Sequence, residues 1–311
     1  FMAGNSHSKT YTMKKTLFLF SFFLNLAVSA QINHVEYKQA CSQAYSEAID
    51  RLNYRKCLKK LSHIKKQYGT LYCEEYILMA HCYKKMGKQS KSARCLRSAW
   101  STYAYDMVCL DQIPEISLAE INAGFTKKQE QLVQQGYDNF AKLKRTNTDS
   151  LSAVFQAMLD RDQVPRMKFH TGSVIDTNAV NREIVQVDSL NLIQFRNIVY
   201  KLGYPGEWIF PGTVSQVFVL LVHSSYNQAF FDEMQPVFLR EVIAGRMPPS
   251  HYALWLDRHY SMVRQPQPYG MLAIPGKTDF SESEKQEIKA NRLKIGLIEN
   301  CPIPTKLLMF E

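Results

Sequence analysis

Nine polar residues in the second half of the chain could do chemistry together: Asp162, Gln163, Arg166, His223, Asp257, Arg258, Gln267, Tyr269 and Arg292. Several lie beside strongly apolar stretches, where an unpaired charge is costly, so they need partners and are expected to meet. In a catalytic arrangement His223 serves as general acid or base, Asp257 orients its ring, and Arg258, Arg166 or Arg292 clamps an anionic group. Asp162, Gln163, Arg166, Gln267, Tyr269 and Arg292 then hold the ligand. Such a set suits hydrolysis of an ester, phosphodiester or peptide-like bond. In a structural arrangement the same groups bond to one another, with Asp257 or Asp162 on an Arg, Gln267 and Tyr269 fixing a loop, and His223 a satisfied core histidine. Buried networks of that kind commonly specify a fold. No G-x-S-x-G, H-E-x-x-H, phosphate-binding loop or dinucleotide fingerprint occurs, so most standard enzyme classes lose support. A metal on His251, Asp257 and His259 is disfavoured, because two histidines eight residues apart on one helix lie about 12 Å apart along its axis. Neither a metal nor a cofactor is expected.

The elements that must position these groups read as helices. One runs through Leu151, Val154, Phe155 and Met158 and is expected to stop at Pro165. Residues 167–185 read as an irregular polar connection, and a helical pattern returns from Asp188 to Leu202. Val214 to Val222 is apolar all round, the mark of a buried central helix, and it brings His223 in at its end. Pro236 suits the first turn of a further helix. Pro248-Pro249-Ser250 leads into another, which carries Asp257 and Arg258. Gln265 to Gly270 is too rich in Pro for helix, and Ser281-x-x-Glu284 is a capping box that opens the last helix. A short ribbon is expected around Met271 to Ile274. Residues 150–311 thus form a mostly α domain, set off by the polar run from Lys144 to Ser152.

From Tyr37 to about Tyr103 the apolar spacing argues for successive antiparallel helices. Tyr76, Met79, Ala80 and Tyr83 share one helix face, Gly87 ends it, and Ser92, Leu96 and Ala99 continue on a second helix. This spacing resembles the tetratricopeptide repeat. Lys38 to Ile64 fits the same template less well, with Tyr45 and Cys57 at small-residue positions. Two such units need support from a neighbour, either a helix within Glu115 to Ala141 or the second domain. For the segment 31–145 the resemblance implies a peptide- or protein-binding groove around Tyr76 and Tyr83; the alternative is helix pairs that merely pack.

In the second half the series Asp162-Gln163-x-x-Arg166, Asp188-x-x-Asn191, Leu220-Leu221-Val222-His223, Tyr252-Ala253-x-x-x-Asp257-Arg258, Gln267-x-Tyr269-Gly270 and Arg292-x-x-x-Gly296 resembles the bacterial domain of unknown function 6624. The resemblance covers residues 150–300. It departs at Asn227, where an acid is expected, and at Met271, where Thr is usual. It implies a fold and a polar constellation, and it brings no established activity.

At the start, Met13-Lys14-Lys15, the apolar run from Leu17 to Leu26 and Val28-Ser29-Ala30 make up the three parts of a secretory signal peptide, behind an upstream extension from Phe1 to Thr12. The expected mature protein starts at Gln31 and is exported, to the periplasm or beyond, with no later stretch able to span a bilayer. Loss of Lys9, Lys14 and Lys15 lowers the formal net charge from +10 to +7. That excess attracts anionic partners, while the absence of a Lys/Arg run speaks against nucleic acid. Six of the seven cysteines fall between Cys41 and Cys109, and Cys301 stands apart. Their spacing leaves 15 pairings open, and their scatter along helices also suits small buried core residues. Together these features favour an exported binding protein, with a His223–Asp257 hydrolase as the alternative.

Overall fold

The computed structural model describes residues 33–102, 115–147, 149–170, 176–207, 214–272 and 280–297. The expected leader, Cys109 and Cys301 lie outside them. The architecture is mostly α, as the sequence requires, and no strand occurs among the described residues. In chain order the helices are α1 (His34–Ile49), α2 (Tyr54–Tyr68), α3 (Cys73–Lys85), α4 (Gln89–Ala99), α5 (Leu118–Asn122) and α6 (Lys127–Asn147). Then come α7 (Asp149–His170), α8 (Thr177–Leu202), α9 (Val214–His223), a 3-10 turn (Ser224–Tyr226), α10 (Gln228–Ile243), α11 (Pro249–Met262) and α12 (Glu282–Lys294). None of them is long and apolar enough to cross a membrane.

In the N-terminal half α1 packs on α2 and α3 on α4. Ala80, Ser92 and Ala99 are fully buried where α3 meets α4, and the Ser92 hydroxyl donates to the Ala80 carbonyl at 2.9 Å. Small side chains let the two backbones approach, which puts that hydroxyl in reach. Support comes from two directions. Helix α6 lies on α4, where Gly136 is so close to the Arg97 carbonyl that an added Cβ would sit 3.0 Å from it. Helix α1 lies on α10 and α12, with Gln39 donating to the Leu293 carbonyl at 2.9 Å. Buried hydrophobics from both halves form one continuous cluster.

An ion pair sealed in the first half ties α1 to α3: Lys38 Nζ lies 2.9 Å from Glu75 Oε1, with both side chains fully buried. The Tyr37 hydroxyl donates to the other oxygen of Glu75 at 2.9 Å. Five cysteines, Cys41, Cys57, Cys73, Cys82 and Cys95, are buried as free thiols in this half.

Helix boundaries in the second half differ from the sequence reading in four places. Helix α7 runs on through Pro165 to His170. The Pro leaves the Arg161 carbonyl without its helical donor, and, one residue on, the Arg166 side chain donates to the Asp162 carbonyl at 2.9 Å. Helix α8 begins at Thr177, eleven residues before Asp188, because the Asp176 side chain accepts from the amides of Asn178 and Ala179 and caps it. Pro236 is interior to α10, which starts eight residues earlier under an Asn227 cap. The carbonyl freed by Pro236 is that of exposed Asp232, which water can satisfy. Where a ribbon was expected, Met271 and Leu272 are not in a strand, and 273–274 lie outside the described residues.

The polar run expected to part the domains is almost wholly helical, with α6 ending at Asn147 and α7 starting at Asp149. Helix α9 sits between α7 and α11, burying Val217, Leu220, Leu221 and Val222. Phe218 and Val219 on the same helix are half-buried.

Candidate functional site

Helices α7 and α8 pack side by side, and the buried stripe of α8 contains Asp188, Asn191, Leu192, Phe195 and Val199. Two polar residues occupy core positions of that stripe. Both are answered from α7: Arg161 donates to the Asn191 amide oxygen at 2.7 Å, and the Asn191 amide donates to the Met158 carbonyl at 3.1 Å. Arg166 Nη2 donates to both oxygens of Asp188, at 3.0 and 2.9 Å, and Nη1 donates to Asp162 Oδ1 at 2.9 Å. One guanidinium thus bridges two buried carboxylates from two helices. The Tyr226 hydroxyl also donates to Asp188.

His223 enters this cluster from the end of α9. Its Nδ1 lies 2.9 and 3.0 Å from the two oxygens of Asp162, and its side chain stays 16% exposed where that of Asp162 is 1% exposed. Gln163 donates to Asp162 Oδ2 at 2.6 Å. Burial by itself would raise the Asp162 carboxyl; the hydrogen bond and charge of His223, then Arg166 and Gln163, outweigh it and hold the group below the usual carboxylate range. A hollow of about 10 Å³ adjoins the pair, lined in part by Asp162, Asp188, Asn191 and His223. That is room for about one water.

Asp257, the partner expected for His223, is elsewhere. It accepts the amides of Tyr269 at 2.9 Å and Met271 at 2.5 Å, so it pins the loop after α11 and does not orient the histidine. Burial pushes its carboxyl up to about 7, although both amides and Arg292 pull the other way. Arg292 donates to the Tyr269 carbonyl at 2.8 Å and to the Gly270 carbonyl at 3.3 Å, and burial lowers it to about 10. Gln267 accepts from the Leu272 amide at 3.1 Å. The nine residues therefore divide. Asp162, Gln163, Arg166 and His223 converge; Asp257, Gln267, Tyr269 and Arg292 hold a loop, which is the structural alternative read from the sequence.

Arg258 belongs to neither set of contacts. It stands on α11, makes no hydrogen bond or ion pair among the described residues, and its Nε is shut off from solvent with no acceptor. Burial lowers its pKa, and the positive charge of Arg166 lowers it further. Asp188, Asn191 and Tyr226 are members of the cluster that the sequence reading left out of its site. Polar residues at the core-facing register of α8 were the signal available for the first two.

His251 and His259 are engaged inside the fold. His251 Nδ1 pairs with the Tyr204 hydroxyl at 3.0 Å, and His259 Nδ1 with the Ser225 carbonyl at 2.6 Å. No group of three His, Cys, Asp or Glu among the described residues could hold a metal ion. Tyr76 and Tyr83 are half-buried; Lys65 donates to the Tyr76 hydroxyl at 2.9 Å, and the Lys91 ammonium sits 5.7 Å from the Tyr83 ring.

No family model, curated protein or solved structure matches the chain. The functional reading rests on the geometry of the site.

Proposed function

We propose that the chain is an exported binding protein whose C-terminal half holds an anionic ligand beside Arg258. The observation that carries this reading is the uncommitted guanidinium of Arg258, part-buried on α11 with its Nε shut off from solvent and lacking any acceptor. A cation in that position is stabilised by an anion supplied from outside, and the planar fork of Arg suits a phosphate or carboxylate group. The net charge of +7 expected after leader removal draws anions toward it. In the same reading the helix pairs α1–α4, tetratricopeptide-like in spacing, contact a peptide or protein near Tyr76 and Tyr83, and the second half belongs with the domain of unknown function 6624.

Calorimetric titration of the full chain with dimethyl phosphate at low salt tests the ligand site. Saturable binding is expected, about 10- to 100-fold weaker in Arg258→Met, which keeps the apolar stem and removes a charged hydrogen-bond donor. Equal affinity in wild type and Arg258→Met, or no binding by either, rejects the assignment.

A further inference from the structure

We infer that the outer face of α2, with Leu52 at its entrance, docks on a lipid bilayer that presents anionic headgroups, a surface separate from the ligand site at Arg258. The first support is charge. Helix α2 carries six Lys and Arg and no Asp or Glu. Three of the six are committed: Lys56 pairs with Glu47 at 2.8 Å, Lys60 donates to the Gln43 side chain at 3.0 Å, and Lys65 donates to the Tyr76 hydroxyl at 2.9 Å. Arg55, Lys59 and Lys66 are exposed and make no hydrogen bond or ion pair among the described residues. Their spacing of four and then seven residues puts them on one stripe about 16 Å long, opposite the buried stripe of Cys57, Leu58, Leu61 and Ile64.

Folding does not ask for these charges. Arg55 and Lys56 stand in the first turn of α2, where the unpaired amides already make a positive end and an acid is favoured. Arg55 and Lys59 are like charges four residues apart, which repel across one turn. An anionic surface laid along the stripe offsets both costs.

Leu52 decides the kind of surface. It follows α1 with a φ of +52°, the left-handed position after a helix where Gly is the usual residue, and the Asn53 amide closes the turn onto the Glu47 carbonyl at 2.7 Å. Its side chain is 63% exposed. The leucine is thus disfavoured twice, by its backbone conformation and by its apolar surface in water. A hollow of about 440 Å³ adjoins it, lined by Arg51, Leu52, Asn53, Tyr54, Arg55 and Met86, so the leucine and the first free cation of the stripe meet in one place. An apolar side chain beside cations suits the boundary between headgroups and acyl chains, where the cations meet phosphate and the apolar group enters. Duplex nucleic acid or an acidic polysaccharide matches the cations and leaves Leu52 in water.

The experiment is co-sedimentation of the full chain at low salt with vesicles of phosphatidylcholine and phosphatidylglycerol in equal parts, and with vesicles of phosphatidylcholine alone. Wild type is expected to bind the mixed vesicles more tightly than the neutral ones, and to lose that preference at about 1 M salt, where the screening length falls to about 3 Å. The triple variant Arg55→Gln, Lys59→Gln, Lys66→Gln is expected to bind the mixed vesicles about 100-fold more weakly and the neutral ones as wild type does. Leu52→Asn, whose side chain tolerates the left-handed backbone, is expected to bind the mixed vesicles about 10-fold more weakly. Every variant keeps the rest of the chain, including the apolar run from Leu17 to Leu26, so a difference from wild type belongs to the altered face. Thermal melts establish that each variant is folded. No binding of mixed vesicles by wild type, or equal binding by wild type and the triple variant, overturns the docking face. Loss in the triple variant with Leu52→Asn as tight as wild type overturns the bilayer as the partner and points to a soluble polyanion, read by anisotropy titration with labelled heparin or duplex DNA.

Discussion

His223 Nδ1 lies within 3.0 Å of both carboxylate oxygens of Asp162, a residue 61 positions earlier on a different helix. The pair fixes the tautomer. In wild type, nitrogen-15 spectra correlated through the ring protons are expected to place the His223 proton on Nδ1. Asp162→Leu removes the acceptor and should move that proton to Nε2. The same tautomer in both proteins would show that Asp162 does not orient the ring.

Arg166 bridges two acids that are almost wholly buried, Asp162 at 1% and Asp188 at 3% side-chain exposure. Arg166→Met would leave both without their cation. Breaking a buried ion pair from one side costs about 3–5 kcal/mol, and that loss is expected in urea unfolding. A loss under about 1 kcal/mol would mean that Tyr226, Gln163 and His223 suffice to hold the two carboxylates.

Gly245 follows α10 with a φ of +72°, and an added Cβ would fall on the ring of His34, which is fully buried at the start of α1. Gly245→Ala therefore combines a disfavoured backbone conformation with a clash that the ring cannot evade. A destabilisation of more than about 1 kcal/mol is expected, in part recovered in the double variant with His34→Ala. If the two changes simply add, the contact between α1 and the second half is not where the cost arises.

Burial lowers His34 to about 4, helped by Lys38 and Arg246, and lowers His251 to about 3. Both groups are depressed relative to an unfolded value near 6.5, so the folded state favours their neutral forms. Their contribution is present in full above about pH 6.5 and is lost as pH falls toward 4 and then 3. Asp257 gives a slope of opposite sign: its raised carboxyl contributes fully below about pH 4, and that contribution is lost as pH rises through about 7. The histidine effect must therefore be read as a difference. Wild type minus His251→Gln, melted from pH 7 to 4, should show an advantage that shrinks with acidification; a constant difference would contradict the assignment.

Much of the scaffold was legible. Helical spacing over α3 and α4, with Ala80, Ser92 and Ala99 as the close-approach residues, corresponds to the packed pair observed, because small side chains at the helix period admit few other uses. The Ser281 and Glu284 capping box opens α12 as read. Prolines misled the boundaries. A Pro inside a helix is tolerated when the carbonyl it frees finds water, as at Asp232, and that exposure is not a property of the local sequence.

The sequence by itself determined that this chain is mostly α, that an apolar segment delivers His223 at its end, and that its charged residues must find partners, since those follow from periodicity and from the cost of burying charge. Which partner each one takes was decided by the tertiary structure. Asp257 and Asp162 are equally good acids for His223 on paper. The packing of α9 against α7 puts Asp162 within hydrogen-bond distance, while the loop after α11 turns back over Asp257 and occupies it with two amides. A hydrogen bond needs contact to within a few tenths of an ångström, and only the folded arrangement of helices sets distances that finely.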